Sequence, residues 1–312
     1  MSDDFTGGVD LASERLGGEA VETNDDFFAP KENLVRQAEP VFKPDEYTDH
    51  GKWMDGWESR RRREPGHDWC IVKLGLPGVV DGVVVDTAFF TGNYPEACSI
   101  DARYGGGGGD GDGDWTEILP KSNLQGDAKN RFAIASGDRF THLRLNIYPD
   151  GGVARLRVYG RVVPDWTHVS GEVDLACVAN GAAVRDCSDA HFGARHNLIL
   201  PDDAVNMGDG WETRRRRGPG NDWAIVELGK PGRITRAVVD TTHFKGNAPG
   251  SCSVEVLDAG GQWHTALAET KLQPNTVHAF DDLAETPVAV RARLNIFPDG
   301  GVARLRLFGT PE

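Results

Sequence analysis

One stretch of this 312-residue chain is written twice, and the duplication limits the folds open to it. Asp55 to Ser99 reads DGWESRRRREPGHDWCIVKLGLPGVVDGVVVDTAFFTGNYPEACS; Asp209 to Ser253 reads DGWETRRRRGPGNDWAIVELGKPGRITRAVVDTTHFKGNAPGSCS, aligned without a gap. Trp57 answers Trp211, Glu58 answers Glu212, and the run Arg60 to Arg63 answers Arg214 to Arg217. Asp68, Asp86 and Asn93 answer Asp222, Asp240 and Asn247. Keeping a fold requires apolar spacing and turn glycines, not this many matched charges. The match continues outward, with Gly7 to Val21 answering Gly171 to Arg185 and Thr141 to Gly160 answering Val290 to Gly309. Phe28, Asn33 and Leu34 answer Phe192, Asn197 and Leu198. Twenty residues then separate Leu34 from Asp55, whereas ten separate Leu198 from Asp209. The extra length, in QAEPVFKPDEYTDHGK, is polar and turn-rich, and reads as a surface insertion.

The patterning is that of short strands. WCIVKLG and WAIVELG are rich in β-formers, end in Gly and are followed by Pro-Gly. VVDGVVVDT and RITRAVVDT follow as further strands, with Asp86 and Asp240 near their ends. In THLRLNIYPDGG, Leu143, Leu145 and Ile147 alternate with Arg144 and Asn146, so the polar pair faces away from the core. Arg293 and Asn295 repeat this, and PDGG supplies a tight reversal. Sustained helical periodicity is hard to find, with short helices expected only near Leu11 or Lys31. The predicted fold is all-β: two tandem jelly-roll β-sandwich repeats, residues 1–165 and 166–312, joined at RVVPDWTHVSG.

A net charge of −14 argues against a nucleic-acid surface, which draws on a positive field. The N-terminus has no basic segment followed by an apolar core, so no signal peptide is expected, and no apolar run reaches the length of a membrane span. Five cysteines without a CxxC fit reduced thiols in a cytoplasm. The stretch GGGGGDGDGD (Gly105 to Asp114) has neither the GK[ST] of a phosphate loop nor the Gly and Glu of a calcium loop. It reads as a lengthened hairpin connection.

None of the nine histidines has a histidine counterpart; His243 faces Phe89 and His67 faces Asn221. A symmetric histidine metal site is not expected, and no Ser or Cys nucleophile setting is recognisable. What recurs is arginine, carboxylate, asparagine and tryptophan. Arginine forks take carboxylates, and Asp, Glu or Asn take planar N–H groups, so the set suits a small anion rich in N–H donors. Most arginines of each run are nevertheless read as solvated or structural.

The tandem DGWE[ST]RRRR, the VDT..F.GN.P..CS segment and RLNI.PDGG.ARLR together resemble allantoicase (allantoate amidinohydrolase) over nearly the whole chain. The resemblance implies galactose-binding-like jelly rolls in a homo-oligomer. It also implies hydrolysis of allantoate to ureidoglycolate and urea in purine breakdown. The competing class is a non-catalytic tandem sandwich that binds carbohydrate or another small ligand.

Read against that substrate, the candidate catalytic groups are His243, Asp240 and Glu212, with His243 as an acid placed just after the Asp240 strand. Candidate substrate contacts are Trp211, Arg214, Arg216, Asn247, Arg293 and Asn295, with Glu58, Arg60, Asp86 and Arg144 as the first-repeat set. Strand ends meeting at one rim would bring Glu212, Arg214, Asp240 and Arg293 into one pocket beside His243. The asymmetry at His243 makes the second repeat the expected working half. No cofactor is expected, a divalent metal being left open, and the partners expected are allantoate and further copies of the chain, not nucleic acid or membrane.

Overall fold

Runs rich in β-formers on either side of a Pro-Gly pair set the strand framework. The structure is a computed structural model and describes residues 5–105, 114–167 and 169–312, so most of the glycine-aspartate stretch lies outside the described residues. It divides into two compact units, Met1–Val163 and Pro164–Glu312. The first contains β1 (Val9–Asp10), β2 (Glu19–Thr23), β3 (Tyr47–Thr48), β4 (Gly51–Lys52), β5 (Trp57–Glu58) and β6 (Asp68–Asp86). After these come β7 (Ala97–Arg103), β8 (Thr116–Asn123), β9 (Lys129–Ala133), β10 (Arg139–Tyr148), β11 (Gly152–Val153) and β12 (Arg155–Val162). The second contains β13 (Val173–Asp174), β14 (Ala183–Cys187), β15 (Trp211–Glu212), β16 (Asp222–Asp240) and β17 (Ser251–Asp258). It ends with β18 (Trp263–Lys271), β19 (Val277–Phe280), β20 (Ala289–Phe297), β21 (Gly301–Val302) and β22 (Arg304–Pro311). Among the described residues, helical structure is confined to 3-10 turns such as Glu14–Leu16 and Lys31–Val35.

The two units have the same antiparallel order. It is β1-β12-β6-β10-β7-β8 in one and β13-β22-β16-β20-β17-β18 in the other, with β2 and β9, or β14 and β19, added on the long central strand. The sequence placed two strands where each unit has a single one of nineteen residues. Pro77-Gly78 bends β6 instead of ending it. Residues before the bend pair with β2 and most of β10, and residues after it pair with β9, β12 and the first residues of β10, Arg139 and Phe140. Proline has no ladder N–H, so pairing with β10 lapses between Lys73 and Gly78. Backbone groups at the bend are taken by neighbours: Gly75 N–H donates to Leu11 O and Val163 N–H to Pro77 O, both at 2.9 Å. One strand thus serves both sheets of a jelly-roll sandwich.

Leu143, Leu145 and Ile147 of β10, and Leu294 and Ile296 of β20, are fully buried. Each such side chain contributes roughly 1.5–3 kcal/mol of apolar burial. The five cysteines are free thiols, and burial pushes Cys98 and Cys252 up to about 12, so they act as small core residues.

Candidate functional site

The duplicated Trp-Glu pair is a two-residue strand whose side chains point opposite ways. Trp57 goes into the core, where its Nε1–H donates to Asp25 O at 2.8 Å; Trp211 is equally buried and donates to Asp189 O at 2.8 Å. Trp211 therefore reaches no ligand surface, contrary to its expected role. Glu58 turns to the rim. Its backbone is held from both sides, pairing with Gly152 across β5–β11 and exchanging hydrogen bonds with Ala29.

Asn93 Nδ2 donates to Glu58 Oε1 at 2.8 Å, and Asn247 Nδ2 to Glu212 Oε1 at 2.6 Å. The PDGG turn fixes that asparagine in each repeat, because Gly152 N–H donates to Asn93 O and Gly301 N–H to Asn247 O. Gly151 and Gly300 both have φ of +136°, and a Cβ at Gly151 would lie 2.7 Å from Asn93 O. Only glycine tolerates both conditions, which accounts for the duplicated turn.

In the first repeat this pair opens on a hollow of about 490 Å³ lined by Phe28, Phe42, Lys52, Met54, Phe89 and Asp127, among others. Burial raises the Glu58 carboxyl above its ordinary range, and the Asn93 hydrogen bond offsets only part of that. One wall is the extra length between Leu34 and Asp55, read from the sequence as a surface insertion. Phe42 stacks on Phe89 with ring centroids 5.6 Å apart, and Lys52 lies 5.0 Å over the Phe42 ring. Val41 N–H donates to Asp55 Oδ2 at 2.9 Å, which anchors the segment.

Phe89 and His243 hold the same unusual backbone position, with φ of 68° and 72°. Each is pinned through its N–H, to Asp127 Oδ1 at 2.8 Å and to Asn275 Oδ1 at 2.9 Å respectively. A non-glycine residue there costs about 1–3 kcal/mol, which the surroundings must over-determine. The His243 ring does not stand free as a proton donor. Its Nε2 lies 2.8 Å from the Ala204 carbonyl, which accepts the ring N–H and ties His243 to the shorter second-repeat connection.

The other expected site residues are held elsewhere. Asp86 and Asp240 are buried and cap the turn after their strands, accepting from Ala88 N at 2.9 Å and Thr242 N at 2.7 Å. Asp86, its carboxyl raised by burial, lines a separate hollow of about 220 Å³ with Glu39, Lys129, Arg157 and Tyr159. Arg293 donates through Nε (2.9 Å) and Nη2 (2.5 Å) to Glu255 Oε2, which also accepts from Asn295 Nδ2 at 2.8 Å. Arg144 and Asn146 make the same cluster on Asp101 Oδ2. Trp263 and Trp115 cover the two guanidinium groups at 4.7 and 4.9 Å. The single pocket expected from converging strand ends is thus replaced by three places. The cause is cross-strand register, which seats each arginine opposite a carboxylate on the neighbouring strand.

The arginine runs are struts at alternate positions. Arg60 pairs with Asp25 at 2.6 Å and Arg214 with Asp189 at 3.4 Å. Arg62 pairs with Asp68 at 2.5 Å, and Arg216 pairs with Asp222. Two further arginines had not been singled out. Arg155 and Arg304 are almost wholly buried; Arg155 donates to both Asp55 carboxylate oxygens at 3.0 Å and to Ala38 O at 2.9 Å. Arg304 does the same for Asp209 Oδ2 and Asp202 O, at 3.2 and 2.7 Å. The duplicated ARLR was visible in the sequence, but its spacing gave no sign that the first arginine was buried.

A family model described as an allantoicase repeat matches residues 9–163 and again 173–312. The chain is 49% identical over 316 residues to a probable allantoicase of Photobacterium profundum, covering 96% of each. It is 50% identical over 317 residues to probable allantoicase 1 of Burkholderia mallei, covering 97% of this chain and 94% of that one. The crystal structure of allantoicase from Saccharomyces cerevisiae superposes with a TM-score of 0.83 at 38% identity, covering 97% of this chain and 93% of that one.

Proposed function

The chain belongs to the allantoicase family, and from that premise we propose that its reaction takes place in the first-repeat hollow, with Glu58 as the proton-transfer group. The reaction is that of a hydrolase acting on C–N bonds of linear amidines: allantoate and water give ureidoglycolate and urea. The observation that supports this placement is Glu58 itself. It is a half-buried carboxyl raised by desolvation, oriented by one uncharged partner, at the edge of a cavity.

Allantoate has a carboxylate and two ureido arms on one carbon. In its neutral form Glu58 donates a proton to the nitrogen of the departing arm as the C–N bond breaks and urea leaves. The lone pair of the remaining arm's nitrogen supports the electron-poor carbon. Glu58, now a carboxylate, removes a proton from water, whose oxygen bonds that carbon and completes ureidoglycolate. Atoms balance, and Glu58 returns to its starting form. Asn93 holds the carboxyl in one orientation through both steps.

The protein is further proposed to be a cytoplasmic homo-oligomer. Its free thiols support the compartment, and exposed Tyr47, Phe192 and Val205 supply apolar surface for contact between copies. The test of the reaction is urea release from allantoate by the purified protein and by Glu58→Gln. A folded wild type that leaves allantoate intact overturns the reading, and a carbohydrate-binding screen then tests the alternative class.

A further inference from the structure

The first-repeat hollow has to receive an anion inside a protein of net charge −14. Two of its lining side chains are acids, Glu58 and Asp127. Asp127 Oδ1 is engaged by the Phe89 N–H, and Glu58 is shifted toward its neutral form. Among the lining residues, Lys52 is the one cation.

Its surroundings place Lys52 without neutralising it. Nζ donates to Pro44 O at 2.7 Å, which leaves two ammonium protons. The ammonium sits 5.0 Å over the Phe42 ring and 5.4 Å over the Tyr47 ring, cation–π contacts that hold it in place. Phe42 in turn stacks on Phe89. Lys52, Phe42 and Phe89 therefore form a ladder from the small β3–β4 hairpin to the rim. The nearby Lys43 is directed elsewhere, paired with Glu46 at 2.9 Å and lying over Trp53. In the second repeat the connection is ten residues shorter and His243 replaces Phe89.

We propose that Lys52 binds the substrate carboxylate, and that the residues lengthening the first repeat exist to bring this cation to the Glu58 hollow. The proposal rests on the placement of the reaction in that hollow and names what makes the hollow selective for an acid. Allantoate enters with its carboxylate against the ammonium and one ureido arm toward Glu58. A neutral bis-ureido compound gains nothing from Lys52, so selectivity arises from the charge. Because every form of the substrate keeps its carboxylate through the reaction, this contact acts on binding rather than on the chemical step.

The experiment uses full-length protein with allantoate and with its carboxamide, which keeps both ureido arms and lacks the charge. Steady-state urea release and equilibrium binding by calorimetry are measured for wild type, Lys52→Met and Lys52→Arg. The expected result for Lys52→Met is a KM and Kd for allantoate raised about tenfold to a hundredfold, with kcat changed little. Values for the carboxamide should not move, and Lys52→Arg should recover most of the loss. Equal weakening toward acid and carboxamide would mean that Lys52 only positions the hairpin, and would overturn the proposal. So would an unchanged allantoate Kd. A wild type that binds allantoate without releasing urea sinks the assigned reaction, while its Kd values still judge Lys52. No binding to the wild type sinks both.

Discussion

The two repeats share a scaffold and differ in one wall. Glu58 with Asn93 and Glu212 with Asn247 are the same construction, each fixed by a two-residue strand and a PDGG turn. Around the first, twenty residues between Leu34 and Asp55 supply Phe42 and Lys52 to the wall of the hollow that Glu58 also lines. Around the second, ten residues span the same interval, and His243 is bonded to the backbone of that shorter span. Duplication copied the acid and its orienting amide. Under the proposed placement, loop length sets how far water is kept from the carboxyl, and a carboxyl becomes a useful proton donor near neutral pH only when water is partly excluded from it.

The sharpest way to break this comparison is to neutralise each carboxyl. Glu58→Gln should lower kcat by roughly 10²- to 10⁴-fold, the range for a lost proton-transfer group, while Glu212→Gln costs less than about tenfold. Steady-state kinetics on both variants decide it. Equal losses would return the second repeat, with His243, to the centre of the mechanism.

Next are the buried arginines. Arg155→Met and Arg304→Met each remove the buried guanidinium held against a buried aspartate, a loss of about 3–5 kcal/mol in unfolding free energy. Denaturant melts should show similar destabilisation in both. Because Arg155 also holds Ala38, at the root of the longer connection, only Arg155→Met should raise KM as well.

The pH response sharpens the contrast further. Burial raises Glu58 on folding, so the unfolded chain ionises first. The group costs nothing below the ordinary carboxylate range. As pH rises from there to the raised native value, the folded state loses stability, and the loss then levels off. Glu58→Gln should remove that loss, so its stability relative to wild type improves across this window and is constant outside it. In the wild type, kcat/KM for allantoate should fall as pH passes the raised value, and Glu212→Gln should keep that limb.

A smaller effect is expected at the covered clusters. Arg144→Ala and Arg293→Ala should each cost about 1–2 kcal/mol of stability, since a charged hydrogen-bond network loses its cation, with turnover within about threefold. Thermal melts beside urea-release assays check this. A large activity loss at unchanged stability would place these residues back in the site. Smallest of all, His243→Phe copies the first-repeat residue into the second, and should leave turnover within about twofold because the backbone conformation is already that of Phe89.

Much of this molecule is legible without coordinates, because its information is local and written twice. Alternation at Leu143, Leu145 and Ile147 gives the buried face, since a strand's side-chain period is two whatever it pairs with. Matched Trp57 and Trp211, and the PDGG turns, follow from residue chemistry within a few positions. The reading departs from the structure where distant segments decide the outcome. Whether Arg293 meets a substrate or Glu255 depends on the strand placed beside β20, and register is set by the whole sheet. Asp86 and Asp240 looked like rim carboxylates, yet each has its own strand-end turn to cap. The Pro77-Gly78 bend was read as a stop, because proline's missing N–H says only that pairing lapses, not where the strand goes next.

Sequence by itself determined that there are two all-β repeats, which faces are apolar, and which carboxylates and amides were copied. Only the tertiary structure decided that the copied carboxyl Glu58 lines a hollow. The wall of that hollow depends on where the longer connection comes to rest, and that depends on contacts between residues far apart in the chain, Arg155 with Ala38 and Phe42 with Phe89. A polar, turn-rich segment has no periodic apolar pattern to announce its seat. Its position is fixed by the surfaces it meets after the strands have paired, so the segment that reads as a surface insertion in sequence stands as one wall of the Glu58 hollow in space.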